Sequence, residues 1–221
     1  MMKKIFILLV ALTSLASAAQ TQLANNDVYY ARRHSLFDLL PITGKDIVML
    51  GNSLTDGAEW NELLDNPHVK NRGIVGDIIQ GYIDRIDPIL KGKPEKLFIL
   101  GGVNDISHEV TGDSIGRAME KLVVLVKRHC PKTKIYVQSM IPFNNDVRMW
   151  KLLRNREHVV VEGNVALKAM CERQGVTYID LYPLFADADG KLKAEYTNDG
   201  LHLSGEAYLK WRDALLPYID P

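Results

Sequence analysis

Five short apolar runs, separated by stretches of helical period, constrain this chain more than any other feature. They lie at 46–50, 69–73, 96–100, 134–138 and 176–180, and Gly, Pro or polar residues bound each one. Runs of this length, rich in β-branched and aromatic residues, read as strands. Between the third and fourth, Ile115, Met119, Leu122, Val123 and Val126 recur at the spacing of one helix face. The segment from Glu157 to Arg173 reads as helix, with Gly175 as its stop before the fifth strand. Asp77 and Gln80 have the spacing of a capping box, and Ser204 stands where it can cap a last helix buried through Ala207, Tyr208, Trp211 and Leu215. Strands that alternate with helices imply a parallel sheet, because parallel neighbours need crossover connections. In such sheets, sites form at the carboxyl ends of the strands.

The amino terminus belongs to a different logic. Lys3 and Lys4 precede a largely apolar stretch from Ile5 to Leu15, and Ala16-Ser17-Ala18 supplies a small-x-small boundary. That arrangement predicts a cleavable export signal over 1–18, since the apolar part is too short to span a bilayer. A polar lead-in over 19–44 follows, and one catalytic-sized domain over 45–221. The chain is expected to be periplasmic or secreted, without stable membrane insertion.

Charge narrows the partners. The 27 basic and 27 acidic residues of the 221-residue chain balance, and losing the leader removes two lysines and no acid. A nucleic-acid partner is therefore not expected, because it would call for a basic excess. Two cysteines, Cys130 and Cys171, are too few for a disulfide scaffold or a cysteine zinc site, and are expected as buried free thiols. The histidines show no ligand spacing, so neither metal nor other cofactor is expected.

Four blocks carry chemistry, each at a strand end or before the last helix. Gly51-Asn52-Ser53-Leu54 follows the first strand and presents a hydroxyl at the sheet edge, although Ser at such a junction is also an ordinary helix cap. Asp199 and His202 stand three apart on a turn, so a carboxylate can hold one imidazole nitrogen while the other takes a proton from a serine. Asn104 ends the third strand, where its amide can donate to a developing oxyanion. Gly76 ends the second, where a backbone N–H favours negative charge. Asn144, Asn145 and Arg148 follow the fourth strand on the same side and are candidates for substrate contact. Trp60 is expected in the core, and His108 and Glu109 at the border of the site.

Together Ser53, Gly76, Asn104 and His202 resemble the SGNH or GDSL family of serine esterases, over about residues 45 to 219. The Gly-x-x-Gly-Asp block at 73–77 and the Leu-His-Leu-Ser block at 201–204 are most similar to platelet-activating-factor acetylhydrolase catalytic subunits and bacterial carbohydrate or sialate O-acetylesterases. The resemblance implies a flavodoxin-like three-layer α/β/α fold with a five-stranded parallel sheet. It implies Ser53 as nucleophile, His202 as base and Asp199 as its orienter, with Ser53 N–H, Gly76 N–H and the Asn104 side chain as oxyanion hole. It further implies hydrolysis of short acyl esters, acetyl above all, of a carbohydrate such as sialic acid or another glycan. Asn52 departs from the family's usual Asp and is expected to bond locally in the turn. A lysophospholipase or thioesterase is the rival activity, but no exposed apolar insertion is evident that would line a long acyl groove. A non-catalytic flavodoxin-like binding module is the rival of another class, and it leaves all four blocks without a use.

Overall fold

The structure is a computed structural model that describes residues 28–219. The predicted export signal at 1–18 and residues 19–27 of the lead-in lie outside those residues. A helix, α1 (28–39), comes first. There follow β1 (Ile47–Gly51), α2 (Ser53–Asp56), α3 (Trp60–Leu63), β2 (Val69–Gly73), α4 (Ile79–Asp84) and α5 (Asp87–Gly92). The second half comprises β3 (Lys96–Leu100), α6 (Val103–Ser107), α7 (Gly112–His129), β4 (Lys134–Gln138), α8 (Glu157–Gln174), β5 (Thr177–Ile179), α9 (Tyr182–Phe185) and α10 (Gly205–Ile219). The five strands form one all-parallel sheet in the order β2-β1-β3-β4-β5.

Period-two alternation explains why the central strands read as unbroken apolar runs. Val48, Leu50, Leu97, Ile99, Ile135 and Val137 face one core, which α4, α5, α7 and α8 complete. Ile47, Met49, Phe98, Leu100 and Tyr136 face the other, against Leu54, Trp60, Phe185, Trp211 and Leu215. A sheet covered on both faces needs apolar residues at every position. The predicted α7 stripe is fully buried at all five positions. Removing each such side chain from water is worth roughly 1.5–3 kcal/mol. Gly175 ends α8 in the left-handed region, as its position predicted.

Three local expectations change. The capping box does not form: α4 begins at Ile79, the Asp77 carboxylate binds Arg85, and Gln80 bonds Asp84 instead of reaching back. The Ile79 N–H is satisfied by Asp105, from α6 beyond the end of β3. Ser204 holds α10 through its carbonyl, which accepts from Tyr208 N, while its hydroxyl is buried without a partner among the described residues.

The third change concerns the lead-in, whose described part begins with α1. One face of it, Tyr29, Arg33 and Phe37, is spaced at four-residue intervals and lies against the body. Tyr29 Oη donates to Asp56 at 2.6 Å and Arg33 to the same carboxylate at 2.9 Å. The guanidinium groups of Arg33 and Arg72 both approach the Phe37 ring, at 4.7 and 4.9 Å from its centroid. Cys130 and Cys171 are buried and unpaired, and burial pushes the Cys171 thiol up to about 12. Among the described residues no helix is long and apolar enough to cross a membrane.

Candidate active site

The end of β1 turns directly into α2, and Asn52 makes the turn. Its Oδ1 accepts from Leu54 N at 3.0 Å, so Asn52 and not Ser53 is the helix cap. That leaves the Ser53 hydroxyl uncommitted to the backbone. Asn52 is fully buried, and its Nδ2 has no partner among the described residues.

The loop before α10 is folded around its own aspartate. Asp199 Oδ1 accepts from Leu201 N and His202 N at 2.9 and 2.8 Å, and Thr197 Oγ1 accepts from Gly200 N at 2.9 Å. Gly200 adopts φ +81°, and a Cβ there would stand 2.1 Å from the Asn144 carbonyl, so only glycine fits. The remaining oxygen, Asp199 Oδ2, lies 2.7 Å from His202 Nδ1. His202 Nε2 lies 2.9 Å from Ser53 Oγ.

Burial alone would raise the Asp199 carboxyl. Hydrogen bonds from the His202 ring and from two backbone amides outweigh it, and the net direction is down. An ionised carboxylate only accepts, so Nδ1 carries the proton and Nε2 of the neutral ring is the acceptor for the serine O–H. The His202 side chain is 37% exposed, so this proton path opens onto solvent.

Two further loops converge on the same edge. Ile74 N donates to Gly51 O at 3.1 Å, which docks the turn after β2 against the end of β1. Gly76 in that turn has φ +78°, and the space where a Cβ would stand is open. Asn104, at the start of α6, donates Nδ2–H to the Asp77 carbonyl at 2.9 Å. One proton of its amide is thus fixed and the second is left over. Among the described residues neither Ser53 N–H nor Gly76 N–H donates to a protein acceptor. Next to Asn104, burial pushes the Asp105 carboxyl up to about 6, against the opposing pull of its backbone hydrogen bonds.

The residues after β4 divide. Asn144 is buried, with its amide spent on Leu192 O and Asp146 N, and its backbone N donates to Gly200 O at 2.7 Å. Asn145 is turned into its own loop, bonding Leu153, Glu157 and Trp150 N. Both asparagines therefore shape the site's walls, with the oxygen and the nitrogen of each amide bonded to protein partners. Arg148 is exposed, with its guanidinium 5.7 Å from the Trp150 ring. Trp150 is the residue that pattern reading missed. Its Nε1 donates to the Asp199 carbonyl at 2.7 Å, and its ring stands edge-on to the His202 imidazole at 5.7 Å. Its only advance signal was an aromatic in the loop that follows a strand's carboxyl end.

Trp60 lies in the core, bonded to Thr55 O. His108 and Glu109 are exposed just beyond α6, and Glu109 pairs with Arg156. Val147, Met149 and Leu152 are exposed on the Trp150 loop, an apolar surface that the sequence alone did not suggest. A hollow of about 430 Å³ between Gly57–Glu62 and Gly205–Arg212 contains neither Ser53 nor His202. Among the described residues no three His, Cys, Asp or Glu side chains gather as a metal-ligand set.

Comparison with known proteins bears on the family and the fold. The model of the GDSL-like lipase/acylhydrolase family matches residues 49–210. A platelet-activating factor acetylhydrolase IB subunit alpha2 from Rattus norvegicus is 27% identical over 172 residues, covering 75% of this chain and 72% of its own. A Streptococcus pneumonia structure, described provisionally as a platelet activating factor, superposes with TM-score 0.79 at 25% identity, covering 93% of this chain and 98% of that one. An acetyl-xylooligosaccharide esterase from Geobacillus Stearmophilus shares the fold, with TM-score 0.65 at 19% identity over 81% and 96% of the two chains.

Proposed function

The chain belongs to the GDSL-like lipase/acylhydrolase family and is a carboxylic ester hydrolase, and from that premise we propose that it is an exported serine esterase removing acetyl or other short acyl groups from a carbohydrate ester. The observation that carries this reading is the relay of 2.9 and 2.7 Å from Ser53 through His202 to Asp199.

His202 Nε2 takes the Ser53 proton as Oγ attacks the acyl carbon. The carbonyl oxygen becomes an oxyanion and receives hydrogen bonds from Ser53 N–H, Gly76 N–H and the free proton of the Asn104 amide. As the tetrahedral species collapses, the alcohol leaves with the proton from Nε2, and the acyl group stays on Oγ. Water then gives its proton to Nε2, attacks the acyl carbon, and the acid departs as Oγ regains its hydrogen. Asp199 stabilises the imidazolium in both halves, and Trp150 holds the Asp199 turn in place.

Two similarities support a short acyl group and a sugar alcohol. One relative is by name an acetylhydrolase, and one fold neighbour removes acetyl from xylo-oligosaccharides. Arg148, stacked beyond Trp150, supplies the alcohol side with a cation. The exposed Val147, Met149 and Leu152 favour a second reading, a lysophospholipase or thioesterase with an apolar leaving group or chain. Acid release from O-acetylated sialic acid, acetylated xylo-oligosaccharides, choline phospholipids and acyl thioesters separates the two. The proposal expects acetate from the first pair, with Arg148→Ala slowing the charged sugar more than the neutral one. Faster release of long acyl chains from the second pair would replace it with the rival.

A further inference from the structure

Beneath the loop that carries Gly76 lies a buried ion pair that the triad does not use. Arg85, directly after α4, donates Nε–H to Asp77 Oδ2 at 2.7 Å, and both side chains are 2% exposed. Its Nη2 donates to Gly51 O at 3.1 Å, two residues ahead of Ser53. The guanidinium lies over the Tyr82 ring, whose hydroxyl donates to Leu100 O at the end of β3. Asp77 in turn joins two parts of the oxyanion hole. It follows Gly76 directly, and its carbonyl accepts the Asn104 amide. One guanidinium therefore bridges the end of the nucleophile strand and the residue that links Gly76 to Asn104.

Stability is a weak reason for such a pair. Desolvating two charges offsets most of their attraction, and apolar substitutes are often as stable. Here burial is the largest influence on the Asp77 carboxyl and pushes it up, although the Arg85 charge and hydrogen bond pull the other way. Geometry supplies the better reason. Donors stabilise an oxyanion only when aimed at the place where charge develops, and an error of about 1 Å can cost on the order of 10²-fold.

We propose that Arg85, acting through Asp77, is a positioning residue that fixes the spacing between the Ser53 turn and the Gly76 and Asn104 donors. It acts on the transition state and leaves ground-state substrate binding alone. This inference rests on the reading of Ser53, Gly76 and Asn104 as the oxyanion donors.

The test uses 4-nitrophenyl acetate with Arg85→Lys and Arg85→Ala. Lysine keeps the charge, but a point ammonium does not reproduce the rigid fork that reaches Asp77 and Gly51 together. The expected result is a folded Arg85→Lys enzyme with KM within about twofold of the parent and kcat lower by roughly 10- to 100-fold. Guanidinium chloride at tens of millimolar should restore part of the kcat of Arg85→Ala, whereas sodium chloride at equal ionic strength should not.

A folded Arg85→Lys with unchanged kcat overturns the proposal. So does a loss of kcat that guanidinium fails to restore and that follows the loss of thermal midpoint. If the single variants do not fold, the uncharged double variant Asp77→Asn/Arg85→Gln replaces them. It should fold and show the same loss in kcat at constant KM, and full turnover in it overturns the proposal as well. Failure of the underlying reading looks different, because Asn104→Ala would then keep parental kcat whatever Arg85 does.

Discussion

Ser53 Oγ and His202 Nε2 stand 2.9 Å apart although 149 positions separate them in the chain. Neither residue reaches the other by local structure. β1 delivers the serine through the Asn52 cap, and the Asp199 turn delivers the histidine through a φ of +81° at Gly200 that only glycine permits. The pair is thus a product of the whole parallel sheet and of the segment that follows its last strand.

Groups that act as one unit lose their effect together. Ser53→Ala and His202→Ala should each lower kcat by on the order of 10⁴- to 10⁶-fold, and the double variant should be scarcely worse than either. Steady-state hydrolysis of 4-nitrophenyl acetate measures this. Additive losses would mean that the two side chains work independently.

Asn104→Ala removes a donor aimed at charge that exists only in the transition state. It should lower kcat by about 10²- to 10³-fold with little change in KM. A change confined to KM in the same assay would make Asn104 a substrate-binding group and not an oxyanion donor.

Trp150→Phe keeps an aromatic edge beside His202 and deletes the N–H that holds the Asp199 carbonyl. Losing one such hydrogen bond is worth about 1 kcal/mol. The expected outcome is a kcat lower by roughly fivefold, with a lower thermal midpoint, read by the ester assay and by melting. Parental values for both would remove Trp150 from the account.

Asp105 makes a prediction about pH. Its folded carboxyl is raised to about 6 by burial, above its value in the unfolded chain, so the folded state binds this proton more tightly. Above pH 6 the group opposes folding. As pH falls from 7 to 4 that opposition is lost, a change on the order of 2 kcal/mol. The stability of the parent relative to Asp105→Asn should therefore rise as pH falls across this window, as read by urea unfolding at several pH values. Parallel profiles would contradict the assignment.

These elements differ in how far the sequence reveals them. The five strands and the α7 stripe are legible because a doubly covered sheet and an amphipathic helix impose apolar periods. Asp199 and His202 are legible because their pairing is local. The helix over 28–39 is not, because a single buried aromatic, Phe37, and polar anchors hold it: Tyr29 and Arg33 on Asp56, and Arg72 on Leu40 O just past its end. The capping-box reading at Asp77 failed for a similar reason, since a distant Arg85 claims the side chain that local spacing assigned to a cap. Asn144 and Asn145 look like free polar groups in one dimension and hold backbone and side-chain partners in three. Trp150 escapes notice because its role depends on where the Asp199 turn comes to rest.

The central claim is that Ser53 carries the acyl group and that His202 activates it. Reaction of the intact protein with a fluorophosphonate probe, followed by peptide mass analysis, tests it most directly. The account predicts one label per chain, on Ser53, formed rapidly in the parent and absent in His202→Ala. A protein that stays unlabelled, or that is labelled at another residue, would contradict it.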